Sequence, residues 1–331
     1  MARPGSPGTI DVLGECVADI FEDHDRSDSD GLALRALPGG GPANTAVALA
    51  RLGTPTRFLG RFSNDAFGTL FRARLSASGV DLSASVTTTE PSTLAVADLD
   101  TDGQATYTFY ADGAADWQWT NTELGTTRND ASVCLHTGSL ALIRRPGGIR
   151  IEDHLAQARE HTTVSIDPNA RPLLVAPSAY RERLPHWCAL ADILRLSEDD
   201  CAILAPDTGL DEACDTWHAA GARLVVITLG GNGALVSLNG TNVTITAPPV
   251  TVVDTVGAGD SFTAGLLHHL ATLGHLGGRL DTLTLDDAAE ACSFAARVAA
   301  LTCSAPGANP PWSDGSALRM DAERNMARHM C

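Results

Sequence analysis

The chain has 331 residues, of which 44% are hydrophobic and 19% are charged, and this composition is typical of a globular protein. The formal net charge of −17 disfavours nucleic acid as a partner, because binding a phosphate backbone needs cations. All 23 basic residues are arginine, so the chain lacks the lysine of Schiff-base enzymes, of the Walker A motif and of protein kinases.

No apolar run reaches the roughly 18 residues that a membrane span needs, and the first residues lack the pattern of a secretory signal. We therefore expect a cytoplasmic protein that does not use a membrane as a partner. The eight cysteines include no C-x-x-C pair, and the chain contains no H-E-x-x-H motif. This pattern predicts reduced structural thiols and no zinc site.

Apolar strands alternate with helical patterns along most of the chain, which is typical of a parallel α/β sheet. In chain order, the predicted strands are Ile10–Leu13, Arg57–Gly60, Val133–His136, Thr163–Ile166, Ile193–Leu196 and Leu224–Leu229. The predicted helices are Ala43–Leu52, Ala66–Ala77, Ile149–Glu160, Gly257–Leu273 and Leu285–Leu301.

Two segments in the N-terminal half interrupt the alternation. Leu94–Thr101 and Gln104–Tyr110 flank Asp102-Gly103, which is a strong signal for a tight β-hairpin. Cys16–Leu37 also avoids helical periodicity, so it predicts a second antiparallel piece. Together they predict a small β lid on a larger α/β domain. The predicted lid comprises residues 15–38 and 93–111, and the predicted large domain comprises residues 1–14, 39–92 and 112–331.

The most informative segment is Asp254-Thr-Val-Gly-Ala-Gly-Asp260, which opens a predicted helix. Backbone N–H groups at a helix start, together with the helix dipole, form an anion site. A carboxylate at Asp260 would repel a bound phosphate unless it had another role, such as accepting the proton of an attacking hydroxyl. Asp260 could equally be a simple first-turn residue, and this segment alone leaves both readings open. Phe262 stands where a Rossmann fingerprint needs Gly or Ala.

Two further glycine-rich segments carry candidate chemistry. Pro38-Gly-Gly-Gly-Pro-Ala-Asn-Thr-Ala46 leads into a helix, and its glycines permit a ligand to approach the backbone closely. Asn44 in this segment can both donate to and accept from a polyol hydroxyl. Thr228-Leu-Gly-Gly-Asn-Gly-Ala234 follows a strand and could hold nucleotide phosphates through backbone amides. Either segment taken alone could also be a purely structural turn.

The segments Gly39-Gly-Gly-Pro-Ala-Asn44 and Asp254-Thr-Val-Gly-Ala-Gly-Asp260 resemble, in this order, the two signatures of the ribokinase-like (PfkB) carbohydrate kinases. Further similarity lies at Leu13-Gly-Glu-Cys-Val-Ala-Asp19, Gly60–Gly68, Asp167-Pro-Asn-Ala-Arg171 and Thr228–Gly233. The resemblance spans roughly residues 9–312. Within the family, the chain is most similar to the bacterial fructokinases.

The resemblance implies a three-layer ribokinase-like fold, in which helices flank a central, mostly parallel sheet that carries a small β-sheet lid. It also implies phosphoryl transfer from ATP to a sugar hydroxyl, with Mg²⁺. It places the general base at Asp260 and the anion hole at Gly257, Ala258 and Gly259. It places sugar contacts at Asp19, Gly40, Gly41, Asn44, Phe109 and Arg171. It places nucleotide contacts at Ser197, Thr228, Gly230 and Gly233, and a monovalent cation, usually K⁺, at Asp254 and the Val256 carbonyl.

Two departures from the family pattern bear on metal and substrate. Ser197-Glu-Asp-Asp200 stands where members often carry Asn-x-x-Glu, so whether Ser197 and Asp200 organise Mg²⁺ stays open. Ala111 stands where many relatives carry arginine, which disfavours an acidic sugar such as 2-keto-3-deoxygluconate. The resemblance to the bacterial fructokinases implies D-fructose to fructose 6-phosphate as the expected reaction. Ribose, 2-keto-3-deoxygluconate or a nucleoside are the alternative acceptors.

Two readings come from other functional classes. A non-catalytic regulator that responds to sugar or nucleotide would have no need of a base at Asp260. A dinucleotide oxidoreductase is disfavoured by the missing G-x-G-x-x-G motif. The expected partners are a small-molecule sugar and ATP, and exposed lid strands in this architecture predict a homodimer that pairs through the lid.

Overall fold

The computed structural model describes residues 8–99 and 105–313. Its strands are β1 (Thr9–Leu13), β2 (Val17–Glu22), β3 (Leu34–Gly39), β4 (Thr56–Leu59), β5 (Arg61–Ser63), β6 (Val86–Thr88), β7 (Thr93–Leu99), β8 (Ala105–Tyr110), β9 (Ser132–Gly138), β10 (Thr163–Asp167), β11 (Ile193–Ser197), β12 (Leu224–Thr228), β13 (Ala234–Leu238) and β14 (Thr241–Ile245).

The helices are α1 (Gly41–Arg51), α2 (Ala66–Ala77), α3 (Asn121–Gly125), α4 (Ser139–Ile143), α5 (Gly147–Ala158), α6 (Pro177–Leu190), α7 (Glu198–Leu204), α8 (Leu210–Ala220), α9 (Ala258–Leu273) and α10 (Leu285–Cys303). Short 3₁₀ turns lie at Ala115–Trp117 and Gly230–Asn232. The predicted strands and helices of the large domain all occur, and their bounds agree within a few residues.

Eight strands form the central sheet in the order β14-β13-β12-β11-β10-β9-β1-β4. The pairs from β12 to β4 are parallel, whereas β13 and β14 are antiparallel to their neighbours. Alternate residues of β12 enter two separate cores, with Leu224 and Val226 on one face and Val225 and Ile227 on the other. Helices cover both faces, so the predicted three-layer α/β fold is confirmed.

A separate four-stranded sheet has the order β3-β2-β7-β8. Strands β7 and β8 pair antiparallel, as the hairpin signal predicted, although the Asp102-Gly103 turn itself lies outside the described residues. Strands β2 and β3 also pair antiparallel and come from the Cys16–Leu37 stretch, and β2 joins β7 in parallel. We call these four strands the small sheet.

The parallel strands all end at one edge of the central sheet. Loops leaving β1, β9, β10, β11 and β12 therefore gather there, which is where α/β proteins of this type bind ligands. The small sheet stands over the same edge, since Val17, Asp19 and Phe21 on alternate positions of β2 face the cleft that lies there. Within the described residues, no helix combines the length and the apolar character that a membrane crossing requires.

Candidate active site

A cleft of about 830 Å³ lies between the small sheet and the carboxyl edge of the central sheet. It brings together segments from both ends of the chain. Of the residues singled out from the sequence, it is lined by Asp19, Gly40, Gly41, Asn44, Phe109, Arg171, Ser197, Thr228, Gly230, Asp254, Val256, Gly257, Ala258, Gly259 and Asp260. Gly233 lies outside this lining.

The two glycine-rich signatures meet at the bottom of the cleft. The Asn44 side chain donates from Nδ2 to Asp260 Oδ2 at 2.9 Å, although 216 residues separate the two positions. Thr45 on the same helix donates from Oγ1 to the Asp260 backbone carbonyl at 3.4 Å. Helices α1 and α9 therefore hold the carboxylate against the turn that precedes α1, with open cleft above both.

The turn before α1 requires glycine at two positions. Gly40 has a φ of 106°, and a Cβ there would lie 2.6 Å from the Glu15 carbonyl oxygen. A Cβ on Gly41 would lie 2.9 Å from Asn169 Nδ2 and 3.3 Å from Asp260 Oδ1. The missing side chain at Gly41 therefore leaves space directly beside the Asp260 carboxylate.

Helix α9 begins at Ala258, and Gly257 before it has a φ of 77°. The first α-helical hydrogen bond runs from the Ser261 N–H to the Gly257 carbonyl at 2.9 Å. The N–H groups of Gly259 and Asp260 precede that bond, so the helix itself gives them no acceptor. These amides and the positive end of the helix dipole line the cleft and can hold an anion.

The surroundings of Asp260 adjust its acidity. Burial raises its pKa to about 7, the Asn44 hydrogen bond opposes that rise, and the nearby Asp167 carboxylate adds to it. The positive charges of Arg171 and Arg195 lower it. A carboxyl group with a pKa near neutrality is suited to accept and release a proton in this pH range.

Asp19 extends from β2 into the opposite wall of the cleft. Burial raises its pKa to about 6, while Arg171 lowers it. A Cβ on Gly39 would lie 2.2 Å from Asp19 Oδ2, so the first glycine of the turn makes room for this carboxylate. Phe109 and Tyr107 of β8 lie on the same side and stack with ring centroids 6.1 Å apart. The wall thus combines a carboxylate hydrogen-bond acceptor with aromatic surface.

Sequence reasoning missed two charged side chains that line the cleft. Glu15 is 1% exposed, its Oε2 accepts from the Ala141 N–H at 3.0 Å, and burial raises its pKa to about 7. Arg195 is 5% exposed and lies inside β11. A single arginine in the apolar run Ile193–Leu196 was a signal for the second, because an isolated charge is rarely buried without a partner.

Residues 228–233, which the family resemblance predicts to contact nucleotide and which we call the nucleotide loop, divide into two parts. Thr228 and Gly230 line the cleft, and Gly230 has a φ of 55°. Gly233 has a φ of 99°, and a Cβ there would lie 2.0 Å from the Ile245 carbonyl oxygen. Close packing of the loop against β14 therefore accounts for this glycine without a ligand. The strand-to-strand turn weighed from the sequence is present, since β12 and β13 pair antiparallel.

Ser197 and Asp200 form the N-terminal cap of α7. Ser197 Oγ accepts from the Asp200 N–H at 3.0 Å, and Asp200 Oδ2 accepts from the Ser197 N–H at 2.9 Å and from its hydroxyl at 2.6 Å. The other oxygen, Oδ1, accepts from the Ala170 N–H at 2.7 Å. Asp200 is therefore engaged on both oxygens by protein donors and serves as a link between two loops.

Asp254 fixes the loop that precedes α9. Its two oxygens accept from the N–H groups of Val256 at 3.0 Å and Gly307 at 2.8 Å, and these bonds lower its pKa. Across the part of the chain that the structure describes, His, Cys, Asp and Glu residues form no group of three or more that could hold a metal ion.

Comparison with known proteins agrees with this arrangement. The model of the pfkB family carbohydrate kinases matches residues 8–314. A fructokinase of Rhizobium leguminosarum bv. trifolii is 37% identical over 258 residues, which cover 78% of each chain. A fructokinase of Klebsiella pneumoniae is 36% identical over 274 residues, covering 81% of this chain and 86% of its own.

Solved structures give the same relationship. A Xylella fastidiosa fructokinase with bound ATP superimposes with a TM-score of 0.86 at 25% identity, covering 96% of this chain and 99% of its own. A double-mutant fructokinase of Vibrio cholerae O395, solved with fructose, ADP and potassium ion, gives a TM-score of 0.78 at 28% identity, covering 92% and 95%. The chain belongs to the pfkB family of carbohydrate kinases.

Proposed function

We propose that this carbohydrate kinase is a fructokinase that transfers the γ-phosphoryl group of ATP to the 6-hydroxyl of D-fructose. The contact between Asn44 and Asp260, which joins the two signatures in one cleft, is the observation that carries the proposal. The fructokinases among the relatives support fructose as the acceptor. The neighbouring structures with ATP, or with fructose and ADP, support the same pair of substrates.

Asp260 is the proposed general base. Its carboxylate lies beside the space that Gly41 leaves, where a sugar hydroxyl can approach. With a pKa of about 7, a large fraction of the group is ionised at neutral pH, so it can take the hydroxyl proton as the oxygen attacks phosphorus. Asn44 holds the carboxylate in place and stabilises its ionised form.

The backbone of Gly257, Ala258 and Gly259 is the proposed anion hole. Phosphoryl transfer goes through a loose transition state, so catalysis depends on position and on charge stabilisation. Fixed amides and a helix dipole supply that stabilisation without rearranging when the charge develops. Glycine at 257 and 259 lets this backbone pack closely, because a Cβ on Gly257 would lie 2.7 Å from Ala308 Cβ and one on Gly259 would lie 3.0 Å from Arg195 Nη1.

The sugar binds under the small sheet, with Asp19, Gly40, Gly41, Asn44, Phe109 and Arg171 as its contacts. We propose that residues 15–38 and 93–111 act as a lid on the rest of the chain and close over this sugar. Closure would exclude water, which otherwise competes as the phosphoryl acceptor. Ala111 leaves the lid without a cation after its aromatic pair, which favours a neutral sugar over an acidic one.

ATP occupies the other end of the cleft, with Thr228 and Gly230 at its phosphates and Ser197 beside them. Mg²⁺ enters with the nucleotide and would neutralise the charge of its phosphates. The exposed carboxylates Glu198 and Asp199 line this end and suit it, whereas both oxygens of Asp200 are engaged. Asp254 and the Val256 carbonyl would hold K⁺ beside the anion hole; each Asp254 oxygen accepts one backbone N–H group, but unlike the buried Asp200 this carboxylate is partly exposed and keeps lone pairs open to an ion.

We also propose a cytoplasmic homodimer. All cysteines in the described part of the chain are free thiols and most are buried, which suits a reducing compartment. Strands β3 and β8 form the edges of the small sheet and expose Leu34 and Tyr110, so a second copy can pair there. A monomeric mass by light scattering at micromolar concentration would refute the dimer.

A coupled assay of ADP formation tests the proposed function. The purified enzyme is given ATP, Mg²⁺ and one acceptor from a panel of fructose, glucose, ribose, 2-keto-3-deoxygluconate and a nucleoside. We expect fructose to give the highest kcat/KM, and the product to be the 6-phosphate by NMR. A different preferred acceptor refutes fructose but not the kinase. Stabilisation by fructose or ATP in a thermal shift, without ADP formation from any acceptor, would instead favour a regulator.

A further inference from the structure

Arg195 lies against the backbone of the proposed anion hole, and part of its side chain lines the cleft. Its side chain is 6% exposed, and Nη1 forms an ion pair with Asp167 Oδ2 at 2.8 Å. The same guanidinium donates from Nη2 to Thr228 Oγ1 at 2.7 Å. It therefore connects the end of β10 to the start of the nucleotide loop, across β11.

The guanidinium also lies directly against Gly259. A Cβ built on Gly259 would lie 3.0 Å from Arg195 Nη1 and 3.1 Å from Nη2. The α9 start is therefore compact enough to place a full positive charge next to the backbone of the anion hole. Because the guanidinium is largely buried, its positive charge would attract an anion bound at this backbone more strongly than it would in water.

Asp167 forms the other end of this pair and lies on the side of Asp260. A small cavity of about 10 Å³ is lined by both carboxylates together with His136, Thr45 and Asn169. Asp167 is 6% exposed, and within the described structure its Oδ1 has no hydrogen-bond partner. The ion pair is thus a buried dipole, with its positive end towards Gly259 and Thr228 and its negative end towards Asp260.

We propose that the Arg195–Asp167 ion pair is a positioning element for phosphoryl transfer. The guanidinium supplies positive charge under the anion hole and holds the nucleotide loop through Thr228, while the carboxylate tunes the base. Neither residue needs to touch the sugar. The inference rests on the proposed function, because it assigns these two residues a part in the same reaction.

The charges around Asp260 give the proposal its pH dependence. Asp167 from β10 raises the pKa of Asp260, whereas Arg171 from the following loop and Arg195 from β11 lower it, and Asn44 from α1 donates a hydrogen bond to it. Replacing Asp167 by asparagine removes the negative charge and keeps the shape. The acidic limb of kcat/KM should then move to lower pH.

The principal test removes the pair as a unit. Single loss of Arg195 would leave a buried carboxylate unpaired and could unfold the protein, whereas replacing both partners of a buried pair together is often tolerated. The variant is Arg195→Met with Asp167→Asn. We expect kcat with fructose to fall about 100-fold or more, as on loss of one preorganised donor, and KM for fructose to stay within about threefold.

A matched control pair exists in the same sheet. Arg57 donates to both oxygens of Asp11 at 2.8 and 2.7 Å, and neither residue lines the cleft. Arg57→Met with Asp11→Asn should leave kcat near that of the wild type. Full activity in the folded Arg195–Asp167 double variant would overturn the proposal, as would an equal loss of kcat in both double variants.

The variant Arg195→Lys separates the effect of the positive charge from the effect of the hydrogen bond to Thr228. Lysine keeps the positive charge and can reach Asp167, but one ammonium cannot reproduce the two-sided contact of the guanidinium. We expect kcat at least tenfold above that of the Arg195→Met/Asp167→Asn double variant, with a raised KM for ATP because the Thr228 contact is lost. Equal kcat in the folded lysine variant and in the double variant would refute the charge role.

A binding measurement keeps this inference separate from the proposed function. Calorimetric titration of ATP needs no sugar turnover, and the Arg195→Met/Asp167→Asn variant should bind ATP several-fold more weakly than the wild type. If the wild type phosphorylates no sugar yet shows this difference, the choice of reaction is wrong and the pair still organises the nucleotide loop. Unchanged ATP affinity together with unchanged kcat in the double variant would refute the positioning role of the Arg195–Asp167 pair.

Discussion

The sharpest prediction concerns the ionisation of Asp260 and the pH dependence of the reaction. Because burial raises its pKa to about 7, the base should be ionised in about one tenth of the molecules at pH 6 and in about nine tenths at pH 8. An aspartate with its ordinary pKa would be almost fully ionised throughout this range. The raised pKa therefore predicts that kcat/KM rises close to tenfold from pH 6 to pH 8.

The variant Asp260→Asn removes the base while the amide oxygen can still accept from Asn44. Loss of a general base typically lowers turnover about 100- to 10,000-fold, and we expect kcat to fall within that range while fructose still binds. Asp281→Asn makes the same change in net charge beside Arg223, before β12 and so at the other end of the sheet. Its kcat should match that of the wild type.

The assay follows ADP formation at saturating Mg²⁺-ATP, in buffers of constant ionic strength from pH 5.5 to 9, with coupling enzymes in excess at each pH. The readout is kcat/KM for fructose, because it reports ionisable groups of the enzyme form that has not yet bound the sugar. A flat profile between pH 6 and 8 would refute the raised pKa. Turnover of Asp260→Asn above a tenth of the wild-type value would remove Asp260 from the role of base.

Three further predictions follow from the same site. Asn44→Ala deletes a hydrogen bond that lowers the pKa of Asp260, so the acidic limb of the kcat/KM profile should move to higher pH; an unmoved limb would contradict this account. Asp19→Ala removes a charged acceptor worth about 1.5–3 kcal/mol, so KM for fructose should rise roughly 10- to 100-fold with little change in KM for ATP; equal rises in both would argue against a sugar contact. The contribution of Glu15 to the free energy of unfolding should fall as pH rises from about 4.5 to 7, because the folded state holds a proton that the unfolded state has released. Burial raises the pKa of Glu15 from 4.5 to about 7, which corresponds to about 3 kcal/mol, so the free energy of unfolding of the wild type minus that of Glu15→Gln, measured in urea, should decrease by about this amount across the window; a difference that grows with pH would refute the sign.

Some parts of the fold were readable from the sequence because local physics determines them. Strand β12 reads as an unbroken apolar run because both of its faces are buried, between the parallel strand β11 and the antiparallel strand β13. The predicted helix Ala66–Ala77 is matched by α2, whose N-cap Asp65 accepts from the Gly68 N–H. Helix α6 was not predicted, because Pro185 lies inside it and its polar residues weaken the helical pattern.

The candidate site was predictable where glycine indicates a turn with positive φ and where a charged residue stands at a helix start. The turn before α1 needs a φ of 106° at Gly40, and such a backbone conformation favours glycine, so the glycine run in the sequence indicates the turn. The glycines at the start of α9 indicate that turn in the same way. The function of Gly233 was not predictable in this way. The same residue type serves there for packing against β14, which only the neighbouring strand reveals.

The sequence alone thus determined the alternation of strands and helices, the two glycine-rich turns and an acidic residue at a helix start, because each depends on residues close together in the chain. The tertiary structure decided that Asn44 and Asp260 touch, that Asp200 is engaged by protein donors, and that Arg195 lies beneath Gly259. These facts depend on burial and on contacts between distant segments. Acidity, charge placement and the shape of the cleft are set by that packing, and no local pattern encodes it.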